Sequence, residues 1–276
     1  MTRRQKKAMF VTPLEVLVEP LSTLSARPGA GPAKAAVVNA RCAHCHLRTW
    51  CLPSGTENSD ADCINSLLFG RRKIKAGQNL YLEGQPFQYL YEVRSGNLKS
   101  SLKTSDGSER VSAFHMAGEL IGLDGVAEGQ HASSTTALED SEVCAVSYAL
   151  LTELAGNNAQ LQRTLMQHMS RELVRELRLL MLLGGMTAEK RLAAFLLNLS
   201  QRLSARGYSP SEFRIRMTRA DIGSYLGLTL ETVSRTFSAF QKLNLLEVKT
   251  RHIRITDLGG LTRIGDVHAP ATTKPS

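Results

Sequence analysis

Long apolar runs are missing from this 276-residue sequence. The longest nearly apolar stretch runs from Leu179 to Met186, whereas a helix needs ~20 apolar residues to cross a bilayer. Apolar residues near the N-terminus are interrupted by Pro13, Glu15 and Glu19, which argues against a secretion signal. The sequence therefore predicts a cytoplasmic protein with no transmembrane helix and no membrane partner.

Cysteine is also scarce, and its distribution is uneven. Four of the five cysteines fall between positions 42 and 63. This clustering argues against paired extracellular disulfides and favours metal binding or redox chemistry in a reducing compartment. With 42% hydrophobic residues, 21 glycines and 9 prolines, disordered and collagen-like classes are excluded, and the length allows two domains.

Acidic side chains are outnumbered, with 25 Asp and Glu against 34 Lys and Arg and a net charge of +9. The excess is uneven, because residues 184–276 carry 14 basic and 7 acidic side chains, whereas residues 42–183 carry 13 and 16. This pattern predicts a basic C-terminal binding domain attached to an acidic middle region, with an acidic polymer or surface as its partner. The alternative is an unevenly charged solvated surface.

The residue pattern divides the chain into a β-rich part and a helical part. Between Ile74 and Val146, short β-rich runs alternate with turns such as Ser95-Gly96 and Asp106-Gly107, which predicts a small antiparallel barrel or roll. From about Asn158, apolar residues recur every three or four positions without proline. The second pattern predicts one long amphipathic helix that ends at Gly184-Gly185.

The long helix carries a heptad stripe that favours pairing with a second copy of the chain. Its members, here called the stripe, are Met166, Met169, Leu173, Glu176, Leu180 and Leu183. Glu176 is the only charged residue among them. The alternative is that Glu176 lies at the solvent edge of a stripe that packs against the chain's own domain.

The basic C-terminal part has the pattern of a helix-turn-helix. Thr218 can cap a first short helix that Gly227 closes, and Thr229 can cap a second one. The following LLEVKTRHIRITD alternates as a two-stranded wing would.

Three residues near the start of the second helix are candidates for reading DNA bases. Glu231, Ser234 and Arg235 share one helical face at i, i+3 and i+4. A glutamate can accept from cytosine N4, and an arginine can donate two hydrogen bonds to guanine O6 and N7. The alternative is an ion pair between Glu231 and Arg235 on a solvated face.

The segment CAHCHLRTWC at 42–51 has the spacing of a metal site. Its cysteines are Cys42, Cys45 and Cys51, and three thiolates in a C-x2-C-x5-C pattern can surround one metal centre. The fourth ligand is either Cys63 or Cys144, which lies in the last predicted strand. Because His44 and His46 are nearby, spacing alone leaves zinc, an iron-sulfur cluster and plain redox thiols open.

Taken together, these segments resemble the cyclic-AMP receptor protein superfamily, and within it the FNR branch of oxygen-sensing transcription regulators. The similarity runs from about Cys42 to Asp257. Four segments carry it: CAHCHLRTWC with the distant Cys144, RSGNLKSSLKTSDGSERVSAFHMAGELIGLD, AEKRLAAFLLNLSQR and MTRADIGSYLGLTLETVSR. The resemblance implies an α+β fold with an N-terminal β-roll (a cyclic-nucleotide-binding-like jelly roll), a long dimerisation helix and a C-terminal winged helix-turn-helix.

The expected divisions follow from this layout. They are an N-terminal extension (1–41), a cysteine-rich cluster loop (42–63), the roll (64–157), the dimerisation helix (158–184), the winged helix-turn-helix (185–258) and a C-terminal tail (259–276). The resemblance also implies a homodimeric DNA-binding regulator of anaerobic genes, which is not an enzyme and contacts RNA polymerase. The turn at Asp106-Gly107 is a candidate polymerase contact.

By resemblance, each predicted site residue has a role. Cys42, Cys45, Cys51 and Cys144 match the ligands of an oxygen-labile 4Fe-4S cluster, while Glu231, Ser234 and Arg235 match the residues that read TTGAT half-sites of a palindromic operator. The dimer interface is expected to contain Met166, Met169, Leu173, Glu176 and Leu180, with Glu176 opposing dimerisation when the cluster is absent.

The sequence also departs from the family pattern. The extension before Cys42 is long, Trp50 is unexpectedly large, and Cys63 is an extra thiol. Nucleotide-binding members place an arginine next to a serine after the GELIGL segment, whereas residues 128–134 contain no arginine. The alternative function is therefore a family regulator with a zinc or thiol-redox site or another small-molecule effector in the roll.

Overall fold

The computed structural model describes residues 68–265. The predicted ligands Cys42, Cys45 and Cys51, as well as Cys63 and the N-terminal extension, lie outside the described residues. Within the described part, a β-roll of two sheets is followed by helices and a small third sheet, so the predicted α+β fold is confirmed. No helix in this part is long and apolar enough to cross a membrane.

The roll consists of two four-stranded antiparallel sheets. Their strand orders are β1-β8-β3-β6 and β2-β7-β4-β5. The strands are β1 (Leu68–Ile74), β2 (Asn79–Tyr81), β3 (Tyr89–Ser95), β4 (Asn97–Lys103), β5 (Glu109–Met116), β6 (Leu120–Ile121), β7 (Ser134–Ala137) and β8 (Ser141–Ser147). Val93, Leu98 and Val143 are fully buried between the sheets. The alternation of inward and outward residues along each strand produces this core.

Two helices connect the roll to the C-terminal part. Helix α1 (Tyr148–Asn157) is capped by the Ser147 hydroxyl, and helix α2 (Ala159–Leu183) by the Asn158 side chain, which accepts from the Leu161 N–H at 2.9 Å. The predicted long helix is thus present, while α1 was not predicted. The ten residues of α1 are too few to show a clear helical period. Their apolar residues therefore looked like a continuation of the β-rich segment before them.

The C-terminal part is a winged helix-turn-helix. Its helices are α3 (Ala188–Ser204), α4 (Arg219–Leu226), α5 (Leu230–Lys242) and α6 (Leu258–Gly265). Its strands are β9 (Glu212–Arg214), β10 (Leu246–Lys249) and β11 (His252–Ile255), in the order β10-β11-β9. The wing sheet therefore has three strands rather than the two predicted, because β9 precedes the helix-turn-helix in sequence and pairs with β11.

The start of the predicted tail is also different, because residues 258–265 form helix α6. The Asp257 carboxylate accepts from the Gly260 N–H at 2.8 Å, and Leu261 is fully buried in the domain core. A Cβ on Gly260 would come within 2.6 Å of Leu245 Cδ2, so the Leu245 side chain would have to shift if this residue were not glycine. The glycines obscure the helical pattern in the sequence.

The roll and the winged helix-turn-helix share one apolar core. Val111, Phe114 and Met116 of β5 pack with buried residues of α3, α4 and α5. At the edge of this contact, Lys99 Nζ lies 2.6 Å from Asp221 Oδ1, and Arg216 Nε lies 2.9 Å from Glu139 Oε2. The two parts are therefore joined by apolar packing and by ion pairs.

Candidate nucleic-acid interface and its connection to the long helix

The helix-turn-helix is fixed by local hydrogen bonds. The Thr218 hydroxyl accepts from the Asp221 N–H at 3.0 Å, and the Asp221 carboxylate accepts from the Thr218 N–H at 2.9 Å. This capping box sets the start of α4. A Cβ on Gly223 would lie 2.6 Å from the Leu228 carbonyl oxygen, so glycine allows the turn to fold back against α4.

Helix α5 exposes the residues that the sequence selects for base reading. Val233, Phe237 and Phe240 anchor its inner face in the core. Glu231 and Arg235 are exposed on the other side, and Ser234 is half-buried. Among the described residues, Glu231 and Arg235 form no ion pair, and Arg235 instead donates to Thr232 Oγ1 at 3.4 Å. The role of all three in base reading stays a prediction.

Exposed cations lie on or beside the strands of the wing. Arg214, Lys249, Arg251 and Arg254 lie on or beside the three-stranded wing sheet and are all exposed. Lys and Arg side chains of this kind neutralise phosphates and position a protein on DNA without reading sequence. The exposed wing cations are suited to phosphate contacts, and the exposed residues of α5 are suited to base contacts.

The stripe on α2 is exposed along most of its length. The exposed fractions are 56% for Met166, 40% for Met169, 62% for Leu173 and 63% for Leu180. Val174, Leu177 and Met181 lie outside the predicted stripe, extend this apolar face and are also exposed. Exposed apolar area of this extent on one helix is typical of an interaction surface. Membership of the dimer interface stays a prediction for each residue.

Glu176 is half-buried within this surface. Burial raises the pKa of the Glu176 carboxyl, while the charge of Arg175 acts in the opposite direction. The negative charge of Glu176 also helps to raise the pKa of Tyr225 on α4, although burial is the main cause. Glu176 therefore does not lie on a fully solvated edge of the stripe.

Cys144 lies on β8, as the sequence predicts, opposite Arg71 on β1 and Glu92 on β3. Because Val143 points into the roll, alternation places Cys144 on the outer face of the sheet. Val146 shares this face and packs with Leu151 of α1 and Leu161 and Leu165 of α2. A ligand at Cys144 would therefore lie beside the apolar cluster that holds the first turns of the long helix.

Comparison with known proteins decides the family. A Crp-like helix-turn-helix domain matches residues 190–264, and a cyclic nucleotide-binding domain matches residues 71–158. The transcriptional regulatory protein btr of Bordetella pertussis is 43% identical over 82% of this chain and 93% of its own length. The fumarate and nitrate reduction regulatory protein of Escherichia coli is 40% identical over 81% of this chain and 89% of its own.

This chain is a member of the CRP/FNR family. Among solved structures, FixK2 from Bradyrhizobium japonicum is 32% identical, with a TM-score of 0.66 over 71% of this chain and 96% of that one. The chain is thus an FNR-type, DNA-binding transcription regulator and not an enzyme. Family membership implies DNA binding and dimerisation, which agrees with the exposed faces of α5 and α2.

In this CRP/FNR-family roll, the Asp124 carboxylate accepts hydrogen bonds from the segment that follows GELIGL. Asp124 Oδ2 accepts from the Ser133 N–H at 2.9 Å and from the Ser133 hydroxyl at 2.8 Å. The His131 ring stacks on Tyr81 with centroids 3.6 Å apart and lies beside the same carboxylate. A negative charge at this position disfavours an anionic ligand.

The same regulator contains a buried ion cluster that the sequence did not reveal. Glu119 Oε2 lies 2.6 Å from Arg202 Nη2, and Glu119 Oε1 lies 2.8 Å from Arg206 Nη2 and 3.8 Å from Arg175 Nη2. Burial alone would raise the pKa of Glu119, but the charges of Arg202 and Arg175 more than offset it and hold the pKa at about 2. The cluster links the roll to α2 and α3. Its only sequence signal is the i, i+4 spacing of Arg202 and Arg206.

Proposed function

We propose that this regulator responds to oxygen through a 4Fe-4S cluster that controls dimerisation and binding to palindromic sites with TTGAT half-sites, and that it regulates anaerobic genes in the cytoplasm. Relatives support this reading by name, since the Haemophilus influenzae relative at 39% identity is an "anaerobic regulatory protein". The observation that carries the proposal is the position of Cys144 beside the apolar side chains that pack against the first turns of α2.

The residues proposed to hold the cluster are Cys42, Cys45, Cys51 and Cys144. When bound, a 4Fe-4S cluster supplies an iron centre that oxygen can oxidise and destroy. The described residues fit this group in one respect, because Cys144 lies on the outer face of the sheet and is only partly buried. Ligation by Cys144 would hold the N-terminal segment against the outer face that Val146 shares with α1 and α2.

The proposed response runs through α2. Packing of the N-terminal segment would stabilise the apolar contacts among Val146, Leu161 and Leu165. These contacts would then fix the first turns of the helix. The stripe then pairs with its symmetry-related copy, which removes exposed apolar area from water. The two Glu176 carboxylates oppose this pairing, because like charges in a partly desolvated seam repel. Without the added packing, the subunits separate.

Two recognition helices on a two-fold dimer would meet half-sites about one turn of DNA apart. Glu231, Ser234 and Arg235 are the proposed base-reading residues, and the wing cations are the proposed phosphate contacts. RNA polymerase is the proposed partner in activation, with the exposed turn at Asp106-Gly107 as a candidate contact.

Anaerobic iron and acid-labile sulfide assays test the cofactor. We expect single Cys-to-Ser variants at positions 42, 45, 51 and 144 to lose iron and sulfide, whereas Cys63→Ser, the matched control, keeps both. Loss in Cys63→Ser together with retention in Cys144→Ser would show that the ligand assignment is wrong. Colourless protein that contains zinc would show that the cofactor is wrong, since zinc does not absorb visible light.

The alternative of a nucleotide effector in the roll has less support. Asp124 occupies both Ser133 donors, and the segment at 128–134 has no arginine. A cyclic phosphate would have to displace this carboxylate and lie near its charge. We therefore propose that the roll serves as a scaffold for Cys144 rather than as a nucleotide sensor.

A further inference from the structure

Arg191, on the first turn of α3, donates hydrogen bonds to three carbonyl oxygens from three different segments. Its Nη2 donates to the Leu183 carbonyl at 3.0 Å, and its Nη1 donates to the Leu226 carbonyl at 2.9 Å. Its Nε donates to the Met186 carbonyl at 3.0 Å. Leu183 is the last residue of the long helix, and Leu226 is the last residue of the first helix of the helix-turn-helix. One guanidinium thus joins the ends of both helices.

The chemistry of this contact is specific to arginine. The last carbonyls of a helix have no partner within the helix and carry partial negative charge. A guanidinium has five N–H donors in a rigid, planar fork and can serve several acceptors that lie in different directions. A lysine ammonium is a single point, so it cannot reach three carbonyls with the same geometry.

The close approach of Gly227 to this junction supports the same connection. Gly227, which follows α4, has a φ of +63°, and a Cβ there would lie 3.3 Å from Arg191 Nη1 and 3.4 Å from Leu183 Cδ2. The turn of the helix-turn-helix therefore lies against the last residue of α2. Only Gly184, Gly185, Met186 and Thr187 separate α2 from α3, and the two glycines alone would allow many relative orientations.

We propose that Arg191 is a positioning residue that fixes the angle between the long helix and the helix-turn-helix, and thereby the half-site spacing that the dimer accepts. This role of Arg191 depends on the proposed two-fold dimer through the stripe. In such a dimer each recognition helix is held at a distance set by α2 and by the junction at its end. A looser junction would let each recognition helix reach half-sites at other spacings.

The test measures the affinity of the anaerobically purified full-length chain for operators whose half-sites stand at the preferred spacing or one base pair closer or farther. The variants are Arg191→Ala and Arg191→Lys, and Lys190→Ala is the matched control, since it removes the same charge one residue away. We expect Arg191→Ala to bind the operator with the preferred spacing about tenfold more weakly, and the other operators less than about threefold more weakly. The reason is that only binding at the preferred spacing depends on a fixed angle between the long helix and the helix-turn-helix. Arg191→Lys should be intermediate, and Lys190→Ala should keep the wild-type spacing preference.

The outcomes separate this inference from the proposed function. An equal loss at every spacing, or an unchanged preference in a dimeric Arg191→Ala, would overturn the role of Arg191. A wild type that shows no spacing preference and sediments as a monomer on DNA would instead overturn the proposed dimer. If Arg191→Ala does not fold, Arg191→Lys decides, because a retained spacing preference in that variant would also contradict the inference.

Discussion

The two sides of helix α2 differ sharply in what covers them. On one side, Arg175 lies 3.0 Å from Glu172 and 3.8 Å from Glu119, and Leu179 is buried against the rest of the chain. On the other side, Leu173 and Leu180 are more than half exposed, and no described residue of the chain covers them. Polar groups are thus paired where the chain folds on itself, and apolar groups are exposed where it does not.

This difference indicates which contacts belong to the single chain and which await a partner. Burying a charge without a partner is costly, so the paired side must form whenever the chain folds. Exposed Leu and Met side chains are unfavourable in water, and covering them with a second copy of the chain lowers the free energy of the pair. We therefore expect mutations on the two sides to have different effects, on folding in one case and on association in the other.

The largest effect should come from the paired side. Glu119→Gln removes the charge that three arginines share, so we expect the free energy of unfolding at pH 7 to fall by about 3 to 5 kcal/mol, as for other broken buried pairs. Chemical denaturation measures it. The exposed pair Lys75–Asp140 is the control, and Asp140→Asn should change little, because solvent screens that pair. A loss in Asp140→Asn as large as in Glu119→Gln would contradict the argument.

The pH dependence of the same variant follows from the sign of the shift. The pKa of Glu119 is lowered from 4.5 to about 2, so its contribution to stability is present above pH 4.5 and is lost as the pH falls through 2. The stability difference between wild type and Glu119→Gln should therefore shrink between about pH 5 and pH 2. A difference that stays constant over this range would show that the carboxylate charge is not the cause.

The next largest effect should come from the exposed side. Leu173→Asp would bury two unpaired charges in the proposed dimer, so we expect the dissociation constant of the anaerobic dimer to rise at least about 100-fold. The fold should be unaffected, since Leu173 is exposed in the single chain. Gln167→Asp, an exposed change outside the stripe, is the matched control. Equal dimerisation of both variants by sedimentation would place the interface elsewhere.

Elements with a strong local pattern could be predicted from the sequence. The apolar period that begins near Asn158 and the caps at Thr218 and Thr229 depend on neighbours within one or two turns, and they predicted α2, α4 and α5. Helix α6 could not be predicted in this way, because it is short and its glycines serve close packing rather than a turn.

Contacts between distant segments could not be predicted. Glu119 and Arg202 are 83 residues apart, and no local pattern connects them. The carbonyls that Arg191 binds belong to helix ends that meet only in the folded chain. Spacing alone also did not choose between Cys63 and Cys144 as the fourth ligand, and the structure adds the position of Cys144 only.

The smallest expected effect belongs to Glu176, and it tests the central claim that the stripe is a dimer interface under cluster control. Sedimentation of aerobic, cluster-free wild type and Glu176→Leu is the measurement. We expect a monomeric wild type and a variant that dimerises about tenfold more tightly, because leucine removes the repulsion and adds apolar contact. A wild type that is already dimeric without its cluster, or a variant that stays equally monomeric, would contradict it.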